Sequence, residues 1–382
     1  MNKIVNIPGT ILKELRVSLN IPINIAAEKL KMETEELKNW EENGVVVSVS
    51  KARKIGKFYN RHWTILLLEK IPNKKDLAQE YRKLIATGGE YSTETLLALR
   101  NAERILFLAD SIEGRVTNRV EIKSFNAGFD SEVKDLTERV RDWLGASLVE
   151  LKKYKYDYEV LSAWINKVES KGIYVSQIKM PGDEVSAFTL SDSKRSVIVL
   201  NKSDTNKRKL FSLLHELGHI LLDKGPTFDI YEGEYYENKV EVFCNSFAGN
   251  LLVPEEVVKK FWNATSDVEE TIELISKRYK VSSQVVLRRI YDMGYINKPT
   301  FEKINSEIEK SYEEYVKNKK TKEFVPAKGF YQKSIIKKNS QAFSEDVFEA
   351  YRQNRITYNE IGKYMGVKLN HIAPLEHLLL YA

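Results

Sequence analysis

The sequence predicts a mostly helical α+β fold, with a small sheet in the central part of the chain and helical regions on both sides. Apolar residues recur at helical spacing near the start of the chain, as at Leu12, Leu15 and Leu19. Short runs rich in β-branched residues, 172–175 and 197–200, predict strands in the middle. A length of 382 residues, 42% hydrophobic and 30% charged, is typical of a globular chain with two or three domains.

Charge, cysteine content and the N-terminal residues limit the functional classes. The net charge of +6 permits contact with nucleic acid but does not require it. The single cysteine excludes an internal disulfide and favours a reducing compartment. No stretch reaches the roughly 18 apolar residues of a membrane span, and residues 1–8 lack the apolar run of a signal peptide. We therefore expect a cytoplasmic protein without a membrane partner.

Residues 1–72 predict a bundle of short helices that resembles a Cro/Xre-type helix-turn-helix domain. The first helix of the motif is predicted over 25–32 and the second over 35–43, with Gly44 after it. Leu37 and Trp40, three residues apart, are expected to face the core of this bundle.

The second helix of this motif begins with an unusual charge for a DNA-binding element. Glu33, Glu35 and Glu36 place three carboxylates where a recognition helix meets phosphates. Because neutralisation of phosphates dominates affinity for DNA, the sequence favours a module for dimerisation, partner docking or regulation. Basic residues such as Lys51 and Arg53 keep contact with DNA open as the alternative.

The rest of the chain is predicted in three parts. Residues 73–128 form a helical connector, with Gly88 and Gly89 as a break, and residues 299–382 form a helical C-terminal region. Residues 129–298 form the central domain with the small sheet, in which the strand 197–200 is expected beside a cleft. A second helix-turn-helix-like pattern over 268–296 is expected to support the floor of that cleft.

Two histidines in the central domain predict a metal site. His215 and His219 enclose Glu216 in a His-Glu-x-x-His pattern within an apolar stretch. On a helix, positions four residues apart share one face, so that both imidazoles can bind the same zinc ion. Glu216 can reach a water on that ion and act as a general base. The alternative, two satisfied histidines in a buried helix, is less consistent with the acidic residues downstream.

A third protein ligand is expected from the next helix. Glu241 opens a segment with helical apolar spacing that ends before Pro254, and Asn245 follows four residues later on the same face. An amide oxygen there can accept the N–H of a ligand histidine and fix its tautomer. Glu237, one turn earlier, is the second choice for the carboxylate, whereas Cys244 is not expected to bind metal.

At these motifs the sequence resembles the ImmA/IrrE-type metallopeptidases. The resemblance rests on the run 211–219 and on the pattern that extends from Glu241 through Asn245 to Pro254. It implies a zincin-like domain and similarity to zinc endopeptidases that cut transcriptional repressors and switch on stress responses, mobile elements or phage-defence genes. Many proteins of this type also carry an N-terminal helix-turn-helix domain. The family usually has alanine where Cys244 stands.

The sequence therefore predicts a zinc endopeptidase with Glu216 as general base and a protein substrate, such as a repressor. Tyr231, Tyr235 and Tyr236 are candidate donors to the oxyanion, and the sequence does not choose among them. Two alternatives stay open: a transcription regulator that keeps the zinc site without hydrolysis, and a structural partner in a toxin–antitoxin or defence complex. Whether the chain forms a homodimer is also left open.

Overall fold

The computed structural model describes residues 4–61, 63–69, 91–129, 131–147, 153–182, 184–222, 234–265, 267–319 and 329–381. These residues form a mostly helical structure with two small sheets, which confirms the predicted α+β class. None of the described helices is long and apolar enough to cross a membrane. The chain divides into two compact units, one of residues 1–104 and 179–185 and one of residues 105–178 and 186–382. The finer division into four parts stays a prediction.

The first unit contains a two-stranded antiparallel sheet and short helices around one core. In order, its elements are β1 (Ile4–Ile7), α1 (Gly9–Val17), α2 (Ile23–Leu30), α3 (Thr34–Asn43), β2 (Val45–Ser48), α4 (Val49–Phe58), a 3-10 turn (Trp63–Leu67) and the start of α5 (Thr93–Ser111).

Helices α2 and α3 occupy the two segments predicted for the helix-turn-helix. Leu37 is fully buried and Trp40 is 7% exposed, so both face the core as predicted. Arg16 on α1 donates to both oxygens of Glu41 on α3, at 2.7 and 2.9 Å, and ties these helices together. Gly44 ends α3 with φ +75°, and a Cβ there would lie 2.9 Å from the carbonyl oxygen of Ile7, which explains the glycine. The Cro/Xre-type assignment itself stays a prediction.

The second unit contains a three-stranded sheet among helices. Its elements are α6 (Arg119–Ser124), α7 (Val133–Leu144), α8 (Asp157–Glu169), β3 (Ile173–Ile178), β4 (Ala187–Ser191), β5 (Ser196–Asn201), α9 (Asn206–Leu221), α10 (Glu234–Leu252), α11 (Glu255–Thr265), α12 (Val268–Tyr279), α13 (Ser283–Asp292), α14 (Lys298–Lys319), α15 (Phe330–Asn339), α16 (Gln341–Arg352), α17 (Tyr358–Met365), a 3-10 turn (Leu369–His371) and α18 (Ile372–Tyr381).

The order of the sheet differs from the sequence-based expectation. Strand β5 lies in the middle, parallel to β3 and antiparallel to β4, and all six of its residues are buried. The continuous apolar run 197–200 therefore reflects burial on both faces of a central strand, and the expectation that this strand borders the cleft was wrong. Strand β4 is the edge strand on the cleft side.

The C-terminal helices belong to the second unit. The Tyr174 hydroxyl on β3 donates to Asp346 on α16 at 2.8 Å, and the Arg115 guanidinium donates to the same carboxylate at 2.8 Å. Ser176 on β3 also donates to the carbonyl of Lys338. These contacts fix α15 and α16 to β3. The predicted break at Gly88 and Gly89 lies outside the described residues.

Candidate metal centre

Helix α9 presents its two histidines because its other face is buried. Thr205 caps the helix by accepting a hydrogen bond from the Arg208 backbone, and Leu213, Leu214 and Leu217 pack into the core of the unit. His215 and His219 are left on the face that looks toward α10 and the cleft. Their Nε2 atoms lie 3.1 Å apart.

Helix α10 brings Glu241 to the same point. One carboxylate oxygen lies 3.2 Å from His215 Nε2 and the other lies 3.4 Å from His219 Nε2. A tetrahedral zinc ion with bonds of about 2.1 Å has ligand atoms roughly 3.4 Å apart. The three side chains thus offer two nitrogens and one carboxylate at spacings that fit zinc. Their assignment as ligands stays a prediction.

Asn245 holds the other edge of the His215 ring. Its Oδ1 lies 3.0 Å from His215 Nδ1, so that Nδ1 carries the hydrogen and Nε2 keeps its lone pair toward the metal. Because Asn245 is one turn after Glu241, a single helix both supplies the carboxylate and orients an imidazole from the facing helix.

Glu216 is buried beside this cluster and is held by a residue that sequence reasoning missed. The residue is 8% exposed, and its carboxylate accepts a 2.7 Å hydrogen bond from the Thr189 hydroxyl on β4. Thr189 is also buried, at 7% exposure. The only signal in the sequence is one hydroxyl between the apolar residues Phe188 and Leu190, which does not identify its partner.

Comparison with known proteins agrees with this geometry. Residues 168–291 match the family described as the IrrE N-terminal-like domain, Peptidase_M78. We call the part of the second unit that contains this match the IrrE-like domain. The chain is similar to the radiation response metalloprotease IrrE of Deinococcus radiodurans, with 26% identity over 140 residues, which are 34% of this chain and 43% of that protein. IrrE of Deinococcus deserti is 30% identical over 101 residues, 25% of this chain and 36% of its own. The chain thus spans less than half of the length of these relatives.

Cys244 occupies the point where α9 and α10 of the IrrE-like domain cross. The residue is fully buried, and its thiol lies beside the His219 ring. A Cβ placed on Gly218 would lie 3.1 Å from Cys244 Sγ, which shows how closely the two helices approach. Among the described residues, the cluster of potential metal ligands consists of His215, His219 and Glu241, and that Cys244 does not bind metal stays a prediction. The contact of Cys244 with His219 was not predicted from the sequence.

The histidine and glutamate side chains of the cluster shift each other's pKa toward the ionised forms. Burial alone would lower the pKa of His219, but hydrogen bonds to Cys244 and Glu241 raise that pKa to about 11. The imidazoles of His215 and His219, 3.2 and 3.4 Å from the Glu241 oxygens, hold the pKa of that carboxyl well below its ordinary range. Zinc needs neutral imidazoles and an ionised carboxylate, so that binding of the metal displaces the proton held by this cluster.

The IrrE-like domain has a large cleft at the metal centre. The cavity measures 2010 Å³ and is open to His215 and Glu216. Ala187 at the start of β4 lines it, together with residues of α9, α10, α12, α13 and α14. Arg289 on α13 is buried and donates to the Val253 carbonyl at 3.0 Å, which joins this helix to the end of α10; a supporting role of 268–296 for the cleft floor stays a prediction.

The side chains of Glu237, Tyr231, Tyr235 and Tyr236 lie outside the part of the chain that the structure describes. The second choice of carboxylate and the candidate donors to the oxyanion therefore stay predictions.

Proposed function

We propose that this protein is a zinc-dependent endopeptidase that cleaves a transcriptional repressor or another partner protein and thereby switches on a stress, mobile-element or defence response. The observation that carries the proposal is the spacing of His215, His219 and Glu241, with the buried Glu216 carboxylate beside them. The similarity to IrrE proteins supports the same class of activity.

The residues around the centre have separate roles in this mechanism. His215, His219 and Glu241 would hold zinc, which when bound supplies Lewis-acid polarisation of the scissile carbonyl and of the attacking water. Glu216 accepts the proton of that water and later passes it to the leaving amine. Thr189 fixes the Glu216 carboxylate by donating to one oxygen, so that the other stays free for the proton. Asn245 keeps His215 in the tautomer that binds metal.

The position of strand β4 is an argument that the substrate is a polypeptide. It lies at the edge of the sheet, pairs with β5 on one side and starts at Ala187 in the wall of the cleft. An extended segment can add to such an edge through main-chain hydrogen bonds. This mode of binding places a peptide bond next to the Glu216 carboxylate, because Thr189 on the same strand contacts it.

Two measurements test the proposal. Zinc content per chain is measured in the wild type, in Glu241→Ala and in Glu237→Ala, all purified without added metal. We expect about one zinc in the wild type and in Glu237→Ala, and a marked loss in Glu241→Ala. Equal zinc in the wild type and Glu241→Ala, with loss in Glu237→Ala, would reassign the third ligand.

New protein N-termini are then compared in host cells that produce the wild type or Glu216→Gln at equal amounts. We expect neo-N-termini in a small set of proteins, a repressor encoded near the gene among them, only with the wild type. If regulation of target genes persists with Glu216→Gln and no new N-terminus depends on Glu216, the protein is a regulator that does not hydrolyse its partner.

A further inference from the structure

Five of the basic residues that line the cleft of the candidate metal centre come from three segments that meet around Lys207. They come from the residues before α8, from the first turn of α9, and from the last turn of α12 and the residue after it. We call this group the basic rim: Lys155, Lys207, Arg208, Lys277 and Lys280.

Lys207 is the member of the rim that most needs an anionic partner. It is half-buried, and burial lowers its pKa; nearby Asp157 opposes the shift and nearby Lys280 adds to it. Among the described residues, no carboxylate oxygen lies within 4.0 Å of its ammonium group. A partly desolvated ammonium without a close counter-ion gains free energy when a carboxylate enters beside it.

Two carboxylates close to Lys207 in the chain or in space, Asp204 and Asp157, already have other partners. Asp204 lies 3.5 Å from Arg208 Nε and is 7% exposed, so it faces away from the open cleft. Asp157 accepts a 3.2 Å hydrogen bond from Asn206. Lys280 donates to the Lys277 carbonyl at 2.7 Å, which fixes its ammonium next to that of Lys207 without neutralising either.

The basic rim lies toward the N-terminal end of α9, whereas His215 and Glu216 lie further along that helix. Lys207 precedes His215 by eight residues on α9, and at about 1.5 Å per residue this is roughly 12 Å along the helix axis. Strand β4 runs in the same direction. Just before its first residue, Ser186 accepts from the Asn201 backbone near the start of α9, and Thr189 in its middle contacts Glu216.

The direction of β4 then sets the direction of a bound segment. Antiparallel pairing is the more stable arrangement per residue, and a segment antiparallel to β4 runs from the metal centre toward Ser186 and the rim. An extended segment advances about 3.4 Å per residue. Over the roughly 12 Å between His215 and Lys207, the basic rim therefore lies beside the third or fourth residue after the scissile bond.

We propose that the basic rim selects protein segments that carry an acidic side chain three or four residues C-terminal to the scissile bond. This inference rests on the proposed endopeptidase function and names the class of its substrates. The acidic side chain forms ion pairs with Lys207 and Lys280, and an acidic residue N-terminal to the scissile bond does not reach them.

The test measures peptide binding by fluorescence anisotropy. The full-length Glu216→Gln protein is loaded with zinc and titrated into fluorescein-labelled ten-residue peptides of alanine, leucine and serine. One peptide has two glutamates near its C-terminus, a second has them near its N-terminus, and a third has two lysines near its C-terminus. We expect the first to bind at least about fivefold more tightly than the others at low salt, and the difference to shrink as salt rises.

Variants test whether Lys207 causes the preference for the acidic peptide. In the Glu216→Gln background, Lys207→Gln should remove the preference and Lys207→Arg should keep it, because arginine retains the charge. Lys363→Gln is the matched control, since Lys363 is exposed on α17 in the same unit and does not line the cleft. Melting curves from circular dichroism verify that each variant is folded.

Equal binding of the three peptides, or a preference that survives Lys207→Gln, would overturn the inference. A rim that instead binds a single-stranded oligonucleotide in a Lys207-dependent manner, without a preference among peptides, is a nucleic-acid site. Cleavage is measured separately with the wild type. A peptide preference without any cleavage contradicts the endopeptidase function but not the acidic specificity of the rim, and cleavage without preference contradicts only the latter.

Discussion

The Nδ1 atom of His215 lies 3.0 Å from Oδ1 of Asn245, across the interface between two helices that each contribute to the candidate metal centre. Removal of this hydrogen bond frees the imidazole to rotate and to change tautomer. We expect Asn245→Ala to bind zinc about 10- to 100-fold more weakly, measured by competition with a chelator. Ser246→Ala, at the neighbouring position of the cleft wall, is the matched control and should leave zinc affinity unchanged.

Thr189 is expected to affect turnover rather than metal binding. Thr189→Val keeps the shape of the side chain but removes the donor to Glu216, and loss of a hydrogen bond to a charged group costs about 1.5–3 kcal/mol. With the substrate identified from new N-termini, kcat should fall about tenfold or more while KM and zinc content stay near the wild-type values. Thr189→Ser should restore kcat. A Thr189→Val enzyme with normal kcat would contradict the positioning role.

Gly218 is expected to tolerate no side chain. Its Cβ would lie 3.1 Å from Cys244 Sγ and 3.3 Å from Phe247 Cδ1, so that α9 and α10 would have to move apart. The strain of overpacking, about 1–3 kcal/mol, outweighs the gain of about 1 kcal/mol from replacing a helical glycine with alanine. We therefore expect Gly218→Ala to lower the melting temperature and weaken zinc binding.

Gly249→Ala is the control for that substitution. Gly249 is a buried helical glycine on α10, but its Cβ would contact a single side-chain atom, Cδ of Arg289, at 3.3 Å. We expect Gly249→Ala to leave the melting temperature unchanged or to raise it. Equal destabilisation by both substitutions would show that the close approach at Gly218 is not the cause.

Glu169 makes the stability of the second unit depend on pH. Burial raises the pKa of its carboxyl from 4.5 to about 7, although Ser340 donates to it at 2.5 Å and Val175 at 3.2 Å. The native protein thus holds this proton to a higher pH than the unfolded chain does. The resulting stabilisation, on the order of 3 kcal/mol, is fully present below pH 4.5 and is lost as the pH rises through about 7.

Urea denaturation at pH 5.5 and pH 8 measures this effect. Glu169→Gln should reduce the difference in unfolding free energy between the two pH values, because glutamine does not titrate. Glu302→Gln, an exposed position on α14, should leave that difference as it is in the wild type. An unchanged difference in Glu169→Gln would show that other groups set the pH dependence.

The acidic start of α3 is expected to prevent tight binding of DNA. Glu35 and Glu36 are both exposed there, where phosphates would approach a recognition helix. In anisotropy titrations at physiological salt, the wild type should bind a duplex from its own upstream region no better than an unrelated duplex. Reversal of charge at Glu35 and Glu36 to lysine should raise affinity for both. Specific nanomolar binding by the wild type would contradict this expectation.

The sequence by itself determined the chemistry of the candidate centre. The spacing of His215 and His219 follows from helical periodicity, a local property that needs no knowledge of the rest of the chain. Glu241 and Asn245 were found in the same way, as two positions on one face of a second helix. The predicted core positions Leu37 and Trp40 were correct for this reason as well.

The tertiary structure decided which elements meet. The composition of the run 197–200 predicted a strand. It could not predict the position of that strand in the sheet, because pairing of strands joins residues far apart in the chain. The contacts of Thr189 with Glu216, of Cys244 with His219 and of Tyr174 with Asp346 depend on packing between elements. The basic rim likewise assembles amines from three separate segments, which share a cleft only after the helices have packed.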